Sequence, residues 1–187
     1  MKRFVSLLLL FGLAGTAYAD GFNYTYGEVG YGIVEIDDVD VDGDGFGIAG
    51  SFAIADEFHV FGSYSTASLD FDIDFSQFDI GIGYNKSISD AVDVVATLSY
   101  VKVEVDVPGF GSEDDNGFGI GVGLRGMVSP QIELHGGLEY VDLSDSGSDT
   151  GFGAGARYNF NDQFAIGLRG DWTDDVSQYT LTGRLYF

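Results

Sequence analysis

The chain has 187 residues, eight basic residues against thirty acidic ones for a net charge of −22, and no cysteine. So few cations exclude general nucleic-acid binding, which neutralises phosphates with clustered Lys and Arg. The missing cysteines exclude a disulfide framework and an anchor attached through a lipidated cysteine. Abundant, periodically placed aromatic and β-branched residues argue against disorder as the meaning of the acidic excess.

Residues 1–19 read as a secretory signal peptide, with Lys2 and Arg3, an apolar run from Phe4 to Leu13, and the small-x-small pattern Ala17-Tyr18-Ala19. The run is too short to cross a bilayer as a helix, which takes ~20 residues. Cleavage after Ala19 leaves residues 20–187 as one domain, with six basic residues against thirty acidic ones, or −24.

Period-two alternation then predicts strands at about 22–36, 44–54, 58–69, 74–85, 91–105, 115–127, 131–143, 150–160, 163–173 and 177–187. No segment has a helical period. The connections alternate between two kinds. Ala55-Asp56-Glu57, Asn85 to Asp90, Val128-Ser129-Pro130 and Asn161-Asp162-Gln163 are short and mild. Asp37 to Asp44, Leu69 to Asp74, Val105 to Asn116, Ser144 to Thr150 and Asp174-Asp175 are acidic. Serial hairpins place these two sets at opposite ends of a sheet, as short periplasmic turns and external loops are placed in transmembrane barrels. The expected fold is all-β: a closed antiparallel up-and-down transmembrane β-barrel of ten strands, or eight if one hairpin is misread.

The faces follow from parity. In Phe118, Ile120, Val122 and Leu124 the apolar parity points to lipid, and the intervening glycines and Arg125 point inward. Arg125, Arg157, Arg169 and Arg184 all fall on the polar parity, with Glu28, Asp79, Asp93, Glu133, Glu139 and Asp171. Facing walls of a narrow barrel would pair them into a lumen charge network. The alternative is a soluble sandwich with these charges in water. Tyr31, Tyr64, Tyr84, Tyr100, Tyr140, Tyr158, Trp172 and Phe187, apolar-parity aromatics near strand ends, favour the barrel and its interfacial girdles.

Tyr179, Leu181, Gly183, Leu185 and Phe187 share one parity and end in a C-terminal aromatic. This motif looks like the signal read by the bacterial barrel-assembly machinery. With the signal peptide, alternating strands and acidic loops, it makes the chain resemble the small outer-membrane barrels of the OmpX and OmpA transmembrane type. Phe58-His59-Val60-Phe61-Gly62 with Tyr64-Ser65, and Gly81-Ile82-Gly83-Tyr84-Asn85, are locally similar to the Ax-type outer-membrane family of plant-associated bacteria. The resemblance implies export through the periplasm to the outer membrane, contact with its lipid and lipopolysaccharide, and no catalytic residues; a monomer is expected.

Asp38, Asp40, Asp42 and Asp44, with Gly43, match the opening of a calcium loop, but Ala49 occupies the place of its closing glutamate and the flanks read as strands. No cofactor is expected; a divalent cation on this loop is the one alternative. His59 and His135 are the only histidines, both on the lumen parity just after a periplasmic turn, where packed lumen residues are expected rather than catalysts. Three function classes stay open: a non-enzymatic barrel serving envelope structure or surface interaction, which is the expectation; a small cation-favouring porin-like channel; and a barrel protease or lipid A-modifying enzyme.

Overall fold

The computed structural model describes residues 16–17, 22–36 and 41–187. Of the expected signal peptide only Thr16–Ala17 falls within them, as a two-residue pairing with Phe22–Asn23; its remaining residues and the cleavage site lie outside the described residues.

Ten long strands form the domain: β1 (Tyr26–Ile36), β2 (Val41–Ala55), β3 (Phe58–Leu69), β4 (Ile73–Ser89), β5 (Val92–Val107), β6 (Gly111–Ser129), β7 (Ile132–Leu143), β8 (Gly147–Asn159), β9 (Phe164–Trp172) and β10 (Val176–Tyr186). Each pairs antiparallel with its sequence neighbours, and β10 pairs with β1 to close the barrel. Closure removes every sheet edge, the condition for placing a sheet in hydrocarbon. The count is ten, so the eight-strand alternative is excluded.

Several segments differ from the sequence expectation: Asn85 to Ser89 continue β4, β8 begins already at Gly147 and β2 at Val41. Residues 22–25, assigned above to the first strand, precede β1 and leave the wall. The acidic stretch from Val105 to Asn116 is mostly strand, because β5 and β6 stay paired as far as Val107 and Gly111. Only Pro108-Gly109-Phe110 remains as its apex, where Gly109 takes φ +81.

The tight turns at Asp56-Glu57, Asp90-Ala91, Pro130-Gln131 and residues 160–163 share one end with the start of β1 and the finish of β10. Register shifts at Ala53/Ala55, Ser87/Ser89 and Met127/Ser129 flank three of these turns. Short turns mark the periplasmic end of such barrels. The apices at 70–72, 108–110, 144–146 and 173–175 stand at the other, external end.

Along the membrane band, alternation puts the large apolar side chains outside. Glycine is required where the wall meets a large inward ring: a Cβ at Gly83 would run into the His59 imidazole, and one at Gly155 into that of His135.

Candidate functional site

The outer wall is a continuous apolar band. Ile48, Ile80, Leu98, Ile120, Val122, Leu124, Leu138 and Leu168 are each more than half exposed or close to it. Two aromatic girdles border the band. Tyr31, Phe46, Tyr64, Tyr100, Phe118 and Tyr140 stand toward the external end, joined by Phe152 stacked on Trp172. Phe52, Phe58, Tyr84, Tyr158, Phe160 and Phe187 stand toward the periplasmic end. Such girdles seat a barrel at the two membrane interfaces.

The lumen has three levels. At the periplasmic level Glu133, fully buried, accepts from Arg125 Nε and Nη2 at 3.2 and 2.8 Å and from Arg157 Nη1 at 3.0 Å. Arg157 also faces Glu28 at 3.6 Å, and Arg184 Nε donates to Glu28 at 2.7 Å. The His135 ring lies beside Glu133, with Nδ1 3.8 Å from its carboxylate. These residues line the β6–β1 side of the barrel.

The opposite side of that level is filled by residues 22–25, which fold across the mouth. The Tyr24 hydroxyl donates to Asp93 at 2.8 Å, and Ser87 donates to the other Asp93 oxygen at 2.7 Å. The Tyr24 ring stacks on His59 with 4.6 Å between centroids, while His59 Nδ1 lies 3.1 Å from Asn85 Oδ1. The Arg125 guanidinium lies over both Phe22 and Tyr24, at 4.5 and 5.0 Å.

A cavity of about 60 Å³ occupies the middle level, lined among others by His59, Ser63, Asp79, Ser99, Glu139 and Arg169. Asp79 accepts from Ser63 at 3.0 Å and from Gln77 at 3.1 Å. Arg169 is engaged elsewhere, donating through Nε to both Asp171 oxygens at 2.7 Å.

The external level is apolar. Val34, Ile36, Val41, Ala67, Phe75, Val101, Val103, Val141, Leu143 and Val176 form one buried cluster inside the barrel. It lies beyond the external girdle, where the outer face carries Glu35, Asp42, Lys102 and Glu104, so it is a hydrophobic core at the barrel's external end.

Within the membrane band and closed ladder just described, the sequence matches the outer membrane protein beta-barrel domain over residues 5–160. The chain belongs to that family. Its place is therefore the bacterial outer membrane, in contact with outer-membrane lipid. An uncharacterized protein of Haemophilus influenzae is 24% identical over 185 residues, covering 86% of this chain and 100% of the relative. An outer membrane channel from Pseudomonas putida F1 superposes with a TM-score of 0.55 at 11% identity, covering 88% of this chain and 96% of the channel. The KdgM porin, in complex with disordered oligogalacturonate, gives 0.51 at 9% identity, covering 87% and 99%. At these identities the likeness to solved structures is one of fold.

All ten residues of the expected lumen network face inward, but they divide into two levels. Glu133 and Glu139 sit six residues apart on β7, about 20 Å at ~3.4 Å per residue, too far to share partners. Asp79 and Glu139 form no ion pair among the described residues. The polar parity is not polar throughout: beyond the external girdle the alternation inverts, with Val101, Val103 and Leu143 inward and Lys102, Glu104 and Asp142 outward.

Tyr179, Leu181, Gly183, Leu185 and Phe187 all lie on the lipid side of β10 and the residue after it. Asp42 and Asp44 face outward on β2, while Asp38 and Asp40 lie outside the described residues. Among the described residues no three His, Asp or Glu side chains are grouped to hold a metal ion.

Sequence reasoning missed Phe22, Tyr24 and Asn85. The available signal was parity: Tyr24 and Tyr26 share the polar parity of Glu28, opposite to Tyr31. At the external rim Asp115 was also missed. Its carboxylate accepts from the Asp145 and Ser146 amides at 3.1 and 2.8 Å and from the Ser146 hydroxyl at 2.7 Å, tying β6 to the 144–146 apex. Burial alone would push this carboxyl up, but the donors of Ser146, Asn116 and Asp145 outweigh it and hold the group below the usual aspartate range.

Proposed function

We propose that the protein is a non-conducting, non-enzymatic surface barrel, working through its external rim in envelope structure or surface interaction. One observation carries this: the lumen is filled at both ends, by the apolar cluster outside and by the charge network with Tyr24 on the periplasmic side. A pore needs a wetted path, and a buried valine cluster is a hydrophobic constriction that excludes ions.

The rim supplies the working surface. Phe71 and Phe110 stand at neighbouring apices, 78% and 90% exposed, among Asp70, Asp72, Asp106, Glu113 and Asp114. Such a surface repels lipopolysaccharide phosphates unless divalent ions bridge them, and attracts cationic partners. Both histidines sit in the lumen with His59 held by Tyr24 and Asn85, away from this rim, which is why no hydrolytic role is given to them. The protein acts as a monomer, and the outward-facing residues from Tyr179 to Phe187 are what the barrel-assembly machinery reads.

The test is planar-bilayer conductance of the refolded protein, with folding checked by heat-modifiable migration on detergent gels. A silent, heat-modifiable protein is expected. Regular conductance steps would overturn this function in favour of a cation-favouring channel.

A further inference from the structure

Residues 22–25 do more than lead into β1. Asn23 donates its side-chain amide to the Phe187 carbonyl at 3.2 Å, and the Phe187 amide donates to Thr25 at 3.2 Å. Thr25 Oγ1 accepts from the Ala53 amide at 3.2 Å. These contacts hinge the segment to the barrel seam. Tyr24 then reaches across the mouth to β5 and β3, where Asp93 and His59 hold it, 6% exposed. The pairing of Phe22–Asn23 with Thr16–Ala17 is cut by cleavage after Ala19, leaving the strap with its contacts to the barrel.

Behind this strap lies the middle cavity, with His59 as the shared wall. On its other side the apolar cluster closes it from the exterior. The cavity thus has one openable side. Its wall carries Asp79 and Glu139, which form no ion pair among the described residues, whereas Arg169 is held by Asp171 and Arg125 by Glu133.

We propose that residues 22–25 are a detachable plug, and that with Tyr24 withdrawn the barrel is a cup, open to the periplasm and closed to the exterior, that admits small cations in preference to anions. Tyr24 is suited to this because its hold is the hydroxyl bond to Asp93, one ring stack and the contact with Arg125, rather than a strand ladder. Once Tyr24 is withdrawn and water enters, ionised Asp79 and Glu139 on a narrow wall raise the local concentration of cations. The proposal is independent of whether the external rim binds anything.

The chain has no cysteine, so a single Ser99→Cys substitution places one thiol on the cavity wall. The protein carrying it is reconstituted in liposomes and exposed, from each side, to a trimethylammonium-bearing and a sulfonate-bearing methanethiosulfonate of similar size. With the strap intact, both reagents should react slowly from both sides. Adding Tyr24→Ala should speed periplasmic-side labelling about ten-fold, more for the cationic reagent than for the anionic, and leave external-side labelling slow.

Rapid labelling with the strap intact would overturn the plug, as would an unchanged rate in a heat-modifiable Tyr24→Ala protein. Equal acceleration of both reagents would overturn the cation preference. Should Tyr24→Ala fail to fold, Tyr24→Phe removes the hydroxyl and its Asp93 bond while keeping the ring; a rise of about two-fold is expected, and no rise overturns the plug. Conductance reports separately on the filled lumen, because a cup that opens on one side stays electrically silent.

Discussion

Arg184 and Glu28 stand directly opposite each other in the register of β10 and β1, joined at 2.7 Å, with the Arg184 guanidinium 3.6 Å above the Tyr26 ring. These are the last and first strands of the barrel, and the two residues lie 156 positions apart. The pair therefore marks the correct register at the one seam that no hairpin turn fixes. Removing one partner leaves the other charge buried, which typically costs about 3–5 kcal/mol. Glu28→Gln and Arg184→Met should each lower the temperature at which the fast unboiled band converts on gels. The double variant should lose less than the sum of the two. Strict additivity would show that they act independently.

Leu124 is 54% exposed in the middle of the lipid band, and Thr97 lines the inner cavity. Leu124→Arg puts a charge into hydrocarbon at a cost of about 2–4 kcal/mol. Thr97→Asn exchanges one polar group for another beside the cavity. The first should reduce the heat-modifiable fraction on folding into liposomes; the second should leave it nearly unchanged. Gly123 is a poorer inward control, because a Cβ there would sit 2.9 Å from the Gly136 carbonyl. Equal folding of both variants would mean that the two faces are exchanged.

Two external carboxylates should respond to acid in opposite directions. Asp115 is held below its ordinary range, so its brace on the 144–146 apex is in place above the unfolded value of about 3.9 and is lost as pH falls through the lower folded value. Asp149 is pushed up by burial and by the charges of Asp174 and Asp175. Its ionisation opposes the native rim, and that opposition is relieved as pH falls through its raised value. In an NMR titration the Ser146 amide should move with a midpoint below about 3.9, and Asp149 with a midpoint above it. Coincident midpoints would contradict both environments.

The wall was legible because lipid imposes one rule on every strand: an apolar residue at each outward position, as in Phe118 to Leu124. The lumen obeys no such rule. Its periplasmic level could be read from Arg125, Arg157, Arg184 and their carboxylates, since buried charges demand partners. Its external level could not, because Val101 and Val103 look like outward residues when Val105 and Val107 continue the run. Tyr24 escaped for a related reason. Next to Tyr26 it extends the alternation of β1 smoothly, and only the contacts with Asp93 and His59, from strands across the barrel, show that the chain has left the wall.

Phe71 and Asp72 adopt φ of +65° and +57° in succession at the β3–β4 apex. Neither is glycine, and the left-handed region costs a non-glycine residue of order 1 kcal/mol or more. The strained backbone carries a phenylalanine that is 78% exposed and buries nothing. Stability gives no reason to keep it, whereas contact with another surface does. Phe71→Gly should therefore raise the conversion temperature of the unboiled band, offset in part by the added freedom of the unfolded chain. The same variant, held in nanodiscs, should be retained less on a phenyl-substituted matrix than the native protein. Phe71→Ala separates the two effects: it removes the ring and keeps the strain, so it should lose retention without gaining stability. Equal stabilisation by alanine and glycine would show that the exposed ring, not the backbone, was the source of the cost.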